Sequence, residues 1–357
     1  MPVVVHEELP WYLRSRQMAL CPGNRTRFKD PDAPCLEIGL VNNMPDSALE
    51  QTERQFISRI EAASGAMVVR IRLYALPEIP RSDSGRCHIG RYYSGLDDLR
   101  NASLDALVIT GTEPRAANLA DEPYWHNLVE LFDWAERNTV STFLSCLAAH
   151  AAVLHVDGIS RHALSEKSFG VFDHIAMTDH PLTRGLPTRL PIPHSRWNEV
   201  RGDALASCGY QILAESEAAG IGLFAKQGRS LFLLSQGHPE YEADTLFKEY
   251  RRDVGRFLRR ERETYPAFPR GYLDSDVTEA FAAFRQQALS NPDEAMRGAF
   301  PHEPARGRLR NRWGRSAIRM FRNWLLFIAE KKGSLRSRTG LVRAKEHTDP
   351  IVAALPA

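Results

Sequence analysis

The chain has no apolar run long enough to span a membrane, and its opening residues lack the basic-then-apolar order of a secretory leader. Cysteine is scarce: five residues, at positions 21, 35, 87, 146 and 208, without CxxC spacing. That excludes a disulfide framework and argues against a structural zinc site. None of the twelve histidines falls in a helical HxxxH pair with a third ligand nearby; His150 and His155 are five apart, so no metal is expected. Internal repeats are also missing. A reducing cytoplasm is the compartment these absences imply. Net charge is nearly absent at +2, but it is unevenly spread. Residues 301–357 carry 13 Lys/Arg against 4 Asp/Glu, leaving 33 against 40 for residues 1–300. Only the tail raises the question of a polyanionic partner.

What is present is a chain of 357 residues, long enough for one large α/β domain with appendages. Residues 1–34 are rich in Pro, Arg and polar groups and are expected to form an extended arm. Apolar runs at 36–41, 67–74, 105–111, 139–145 and 230–235 have strand character, and helical spacing follows at 47–62, 122–137, 147–154 and 243–260. Strands alternating with helices predict a doubly wound, mostly parallel sheet flanked by helices. Residues 75–100, rich in Pro, Gly and Ser, are expected to form a loop over the site face; 159–201 look like polar loops with a purpose. In such sheets ligands sit beyond the strands' carboxyl ends, so the turns at Asn42, Gly111 and Cys146 should share one crevice.

Cys146 falls where a buried strand gives way to an Ala-rich helix. A strand turning sharply into a helix holds its junction side chain at the sheet edge, where the helix N-terminus favours negative charge. The next backbone N–H groups are free to meet an oxyanion. The plain alternative is a small buried hydrophobe. His238 and Glu240 flank Pro239 at the end of another strand, so one rigid turn presents an imidazole and a carboxylate. Alone, that pair does no more than close a strand end. With an elbow cysteine on a neighbouring strand it has the arrangement that activates a thiol nucleophile.

These residues belong to longer runs. Val41-Asn-Asn-Met-Pro45, Thr52-Glu-Arg-Gln-Phe56, Asp105-Ala-Leu-Val-Ile-Thr-Gly111 and Tyr124-Trp125 come first, followed by Cys146. Glu166-Lys-Ser-Phe-Gly-Val-Phe-Asp-His174, His180-Pro-Leu-Thr-Arg-Gly185, Pro193-His-Ser-Arg196, Gly237-His-Pro-Glu-Tyr241 and residues 244–253 complete the series. Over residues 36–256 the chain resembles the homoserine O-acyltransferase family, the succinyltransferases and acetyltransferases of methionine biosynthesis. That family shares its fold with class I glutamine amidotransferases. The resemblance implies an acyl transfer from succinyl-CoA (or acetyl-CoA) to the hydroxyl of homoserine through an acyl-cysteine, with Cys146, His238 and Glu240 as catalytic residues. It implies no permanently bound cofactor. By the same motifs Lys167, Ser195 and Arg252 are substrate-binding positions, and the N–H groups of Leu147 and Asn43 form the oxyanion hole. Acyl-donor choice is assigned to Ser195 and to the position of Arg115, whose cation suits a succinyl carboxylate.

The chain departs from the family beside the cysteine, where Leu147, Ala148 and His150 replace the usual Trp, Gly and Gln. The segment between Pro45 and Thr52 is also two residues longer. Serine as acceptor, a glutaminase-like amide hydrolase, and an inert relative that works by binding are the rival readings. The chain accordingly divides into the arm at 1–34, an amidotransferase-like acyltransferase domain at 35–256, and a helical, basic extension at 257–357. In the extension, Phe281, Phe284 and Ala288 suggest one helix, and residues 316–330 form a basic amphipathic one. That second helix suits packing on the body or on the partner of a homodimer. Neither nucleic acid nor membrane is expected, though the arginines leave both open. The last fifteen or so residues are expected to be disordered.

Overall fold

Short apolar runs separated by helices leave the chain one economical way to bury them: side by side and parallel. The computed structural model describes residues 3–5, 9, 11–12, 35–177, 179–273, 275–290, 292–305 and 307–346. Val3–Val5 (β1), Cys35–Val41 (β2), Val68–Tyr74 (β3), Ala106–Ile109 (β4), Ser141–Ser145 (β5) and Leu231–Ser235 (β10) form the parallel part of one sheet, in the order β1-β3-β2-β4-β5-β10. From β10 the sheet continues antiparallel through Gly220–Gln227 (β9), Gln211–Ser216 (β8), His162–Ala176 (β6) and Arg189–Glu199 (β7). The fold is the α/β, mostly parallel arrangement that the alternation predicts.

Successive side chains of a strand point to opposite faces, and each face has its own helices. On one side Ile38, Val108, Phe143 and Leu233 pack with Phe56, Ile57 and Ile60 of Leu49–Ser64 (α1). Phe321, Trp324, Leu325 and Ile328, near the end of the chain, complete that core. On the other side Leu107, Ile109, Leu144 and Leu234 meet Leu128, Leu131 and Phe132, with the Ala-rich stretch after Cys146 beside them. Each large side chain buried this way contributes roughly 1.5–3 kcal/mol. A third cluster joins Phe169, Tyr250 and Val254 to Phe281, Phe284 and Trp313, so the C-terminal extension adds a core of its own.

Three expectations change. Residues 75–100 are not a loop: they hold Asp83–Tyr92 (α2) and Leu96–Asn101 (α3), started by Ser82, whose hydroxyl accepts the Gly85 N–H. The glycines that suggested a loop lie within or at the ends of these short helices. Residues 159–201 are mainly the long β6–β7 pair rather than loops; their polar side chains are those of strands half exposed at the sheet's edge. Within the arm, residues 3–5 join the sheet beside β3. The remaining major helices are Trp125–Asn138 (α4), Leu147–Asp157 (α5), Thr245–Leu258 (α6), Ser275–Ser290 (α7) and Gly314–Glu346 (α8). The amphipathic helix expected at 316–330 is part of α8, and its apolar face lies in the core shared with α1 and the sheet. The disorder expected at the end of the chain falls mainly on residues 347–357, outside the described residues.

Candidate active site

The direction of winding reverses at β2, with β3 on one side and β4 on the other, so a crevice opens beyond their carboxyl ends. β5 ends in that crevice at Ser145, and the chain turns straight into α5. Cys146 makes the turn with φ 51° and ψ −110°, a conformation that side-chain-bearing residues rarely adopt and that is stored only where the surroundings enforce it. The elbow leaves no room beside it. A Cβ on Gly111 would lie 2.8 Å from Leu147 Cβ and 3.0 Å from Leu147 N. The first N–H groups of α5 have no preceding turn to donate to, which sets partial positive charge beside the sulfur.

The next strand, β10, delivers the imidazole. Gly237 lies so close to β7 that a Cβ would sit 2.5 Å from Ile192 Cγ2, and the His238 N–H donates to Pro193 O at 2.8 Å. His238 Nδ1 is 2.8 Å from Glu240 Oε1, which also accepts from the Ser145 hydroxyl at 3.3 Å. The ring stacks on Tyr241 with centroids 4.3 Å apart. Burial disfavours the imidazolium, but the Cys146 sulfur and the Glu240 carboxylate outweigh it, by charge and by hydrogen bonding. The imidazole is therefore held well above its ordinary value, and with Nδ1 tied to Glu240 its Nε2 is the nitrogen left for the sulfur. Below the turn, Arg59 donates to Tyr241 O at 2.6 Å, and its charge faces Glu240.

The opposite wall comes from β6, β7 and α6. Lys167 Nζ lies 3.1 Å from Asp253 and 3.8 Å from Glu249, above the Phe169 ring. Glu249 also accepts from the Ser195 hydroxyl and, at 2.6 Å, from the Tyr241 hydroxyl. Arg252 Nε donates to Asp253 Oδ1 at 3.0 Å. Together these walls enclose a cavity of about 290 Å³ lined by Cys146, Leu147, His238, Glu240, Lys167, Ser195 and Arg252. Seven of the nine site residues taken from the sequence thus face one space. Two do not. The Asn43 N–H already donates to Thr110 Oγ1 at 2.8 Å, so it is not offered to an oxyanion. Arg115 lies outside the lining, which that turn supplies through Thr112, Glu113 and Pro114. The Arg115 N–H instead donates to Glu122 at 2.5 Å.

Sequence reasoning missed three contributors. Arg161 lines the cavity, and its guanidinium interacts with Cys146; burial lowers its affinity for a proton, while Tyr124, Glu122 and Cys146 act the other way. Its only signal was a basic residue just after the Gly158 turn. Glu249 sat unassigned in the 244–253 run. Gln236, fully buried, accepts from Val200 N at 2.7 Å and donates to Val200 O and Ile221 O. The same amide oxygen is 2.9 Å from His150 Nε2, so that nitrogen carries the hydrogen. Burial pushes His150 down to about 3, and it stays neutral. A second chain of rings underlies β7. Arg196 Nε donates to His194 Nδ1 at 3.2 Å, so His194 Nε2–H donates to His174 at 3.2 Å, and His174 Nδ1–H donates to Phe172 O at 3.0 Å. Arg196, with further bonds to Asn198 O and Ala219 O, is thereby a fixed strut of the cavity wall.

A cysteine elbow, an imidazole on its carboxylate and a cavity with several cations is an arrangement suited to acyl transfer from a carboxylate-bearing or phosphate-bearing donor. Comparison with known proteins finds relatives over most of the chain. A family model described as homoserine O-succinyltransferase matches residues 2–334, well past residue 256 where the motif resemblance stops. A homoserine O-succinyltransferase of Rhodopseudomonas palustris is 48% identical over 310 residues, 86% of this chain and 93% of that one. One from Methylorubrum extorquens is 44% identical over 311 residues, 85% and 90% of the two chains. A solved glutamine amidotransferase from Methylobacillus flagellatus is similar at 13% identity and a TM-score of 0.47, covering 83% of this chain and 95% of its own.

Proposed function

The chain belongs to the homoserine O-succinyltransferase family, a family of acyltransferases, and from that premise we propose that it moves a succinyl group from succinyl-CoA to the hydroxyl of L-homoserine by way of Cys146. In the first half the Cys146 sulfur attacks the thioester carbonyl. The Leu147 N–H, at the positive end of α5, meets the developing oxyanion. The bond to the CoA sulfur breaks, and His238 gives the leaving thiolate its proton. Sulfur is exchanged for sulfur, so this step runs close to balance.

Acylation removes the charge from Cys146, one of the two groups that hold His238 above its ordinary value. The ring then becomes available as a base. In the second half it takes the proton of the homoserine hydroxyl as that oxygen attacks the acyl-cysteine. The bond from the acyl carbon to the Cys146 sulfur then breaks, returning the thiolate beside the protonated ring, while Glu240 holds the ring by Nδ1. Lys167 and Arg252, with Ser195 between β7 and α6, bind the amino acid, whose carboxylate suits the two cations. Arg161 lies on the elbow side and suits the distal carboxylate of the succinyl group.

The observation that supports this reading is the Cys146 elbow facing an imidazole held at 2.8 Å by Glu240. Intact-mass spectrometry tests it. Brief exposure to succinyl-CoA without acceptor should add one succinyl group, homoserine should discharge it, and Cys146→Ala should lose both the adduct and roughly three or more orders of magnitude of rate. An adduct from acetyl-CoA alone would reassign the donor. Protein that takes up no acyl group from either thioester would sink the mechanism.

A further inference from the structure

The active cavity is too small for a whole acyl-CoA, whose pantetheine arm and nucleotide must leave it. A second cavity of about 640 Å³ continues it, sharing Lys167, Trp197, Asp253 and Arg262 along the common border. Its walls are β6, Trp197 of β7, α6 and the extension beyond residue 256. On β7, Ser195 and Trp197 are two apart and so share a face. Trp197 is a large apolar side chain left 51% exposed where the two cavities meet. Tyr265 and Phe268 add aromatic surface, and Arg262, Arg270 and Arg285 add charge.

The charges there are only partly matched. Arg270 is paired with Glu166 at 3.0 Å. Arg262 and Arg285 have no carboxylate partner among the described residues, and the buried Arg262 Nε has no acceptor there. Arg285 lies over the Tyr265 ring at 5.8 Å. A second basic groove, on the other side of α6, shares only Arg252 with the active cavity. Most of its cations are already taken: Lys248 by Asp244 at 2.9 Å, Arg259 by Glu261 at 2.5 Å and Arg297 by Glu294 at 3.2 Å. Beside the remaining Arg251, no exposed aromatic ring among the described residues lines the groove.

We propose that the aromatic annex holds the 3′-phosphorylated adenosine diphosphate end of the acyl-CoA, with Trp197 and Tyr265 as stacking surfaces and Arg262 and Arg285 as phosphate ligands. Guanidinium groups without a carboxylate partner, beside the exposed Trp197 ring and the half-buried Tyr265 ring, match the two ends of a nucleotide, its phosphates and its base. The proposal rests on the acyl-CoA reading of the cavity and gives the C-terminal extension a part in it: donor recognition.

Calorimetry on the full chain with adenosine 3′,5′-bisphosphate and with free CoA tests the site without chemistry. Arg262→Ala, Arg285→Ala and Trp197→Ala should each weaken both ligands by about tenfold or more. Arg251→Ala and Arg297→Ala, in the other groove, should leave both affinities within error. Arg285→Glu, at an exposed position, should weaken both ligands further with an unshifted melting temperature, which separates lost recognition from lost folding. In turnover, the preference for succinyl-CoA over S-succinyl-pantetheine, as a ratio of kcat/KM, should fall at least tenfold in Arg285→Ala. Nucleotide affinity that follows Arg251 and Arg297 instead, or that ignores all six substitutions, overturns the proposal. Binding that depends on Arg262 and Arg285 in a protein that never acylates Cys146 would keep the nucleotide site and remove the acyl-transfer reading.

Discussion

His150 shows how a single departure from a family pattern is absorbed. Its Nε2–H takes the Gln236 oxygen, and burial pushes the ring down to about 3, below the ordinary 6.5. Between those values the unfolded chain binds a proton that the folded chain refuses, so stability is full above about pH 6.5 and declines as pH falls toward 3. Glutamine, the usual residue of the resembled family, can donate the same hydrogen bond without titrating. His150→Gln should therefore move the acid-unfolding midpoint, followed by circular dichroism, to lower pH. An unmoved midpoint would assign the proton uptake to His174 or His194, which burial also lowers. A residue's place in the cavity was legible where a short motif carried it, as for Cys146, His238 and Glu240. It was not legible where a neighbour decides the outcome. No sequence pattern shows that Thr110 captures the Asn43 N–H, or that Arg115 faces away from the cavity while Arg161 faces in.

At the scale of elements, the elbow depends on how closely β4 passes α5. Gly111→Ala would press a methyl group against Leu147, and the elbow must yield by several tenths of an ångström. Because the Leu147 N–H is the proposed oxyanion donor, kcat should fall by about ten- to a hundredfold. The KM for homoserine, set by the far wall, should change little. Steady-state kinetics checks this, and a KM effect alone would place the damage elsewhere. The parallel strands were legible because both of their faces are buried, which writes an uninterrupted apolar run into the chain. β6 and β7 were not: they are antiparallel, partly exposed and bulged between Ala163 and Ser168, so polar residues interrupt the pattern. α2 and α3 were hidden by glycines, which short helices tolerate at modest cost.

Across the whole molecule, sequence reasoning separated a basic tail from the body, yet α8 lies in the same core as α1 and the sheet. Trp324 is fully buried, and its Nε1–H reaches Ser141 Oγ of β5 at 2.9 Å. Trp324→Ala should cost about 3–5 kcal/mol of unfolding free energy, read by urea titration, the price of a cavity against the central sheet. A change below about 1 kcal/mol would show that the helix detaches freely. Charge counting had no means of seeing this, since Arg315 and Arg319 of that helix are exposed while Arg322 reaches across to Ala63 O of α1. The core that holds Val3 and Val5 also holds Ile328. A ribosome makes the first of those segments long before the second, so the sheet's inner surface waits for its cover until α8 has been made. Before then the growing chain presents bare β-structure to chaperones, and early termination anywhere ahead of that helix yields a polypeptide without a finished interior.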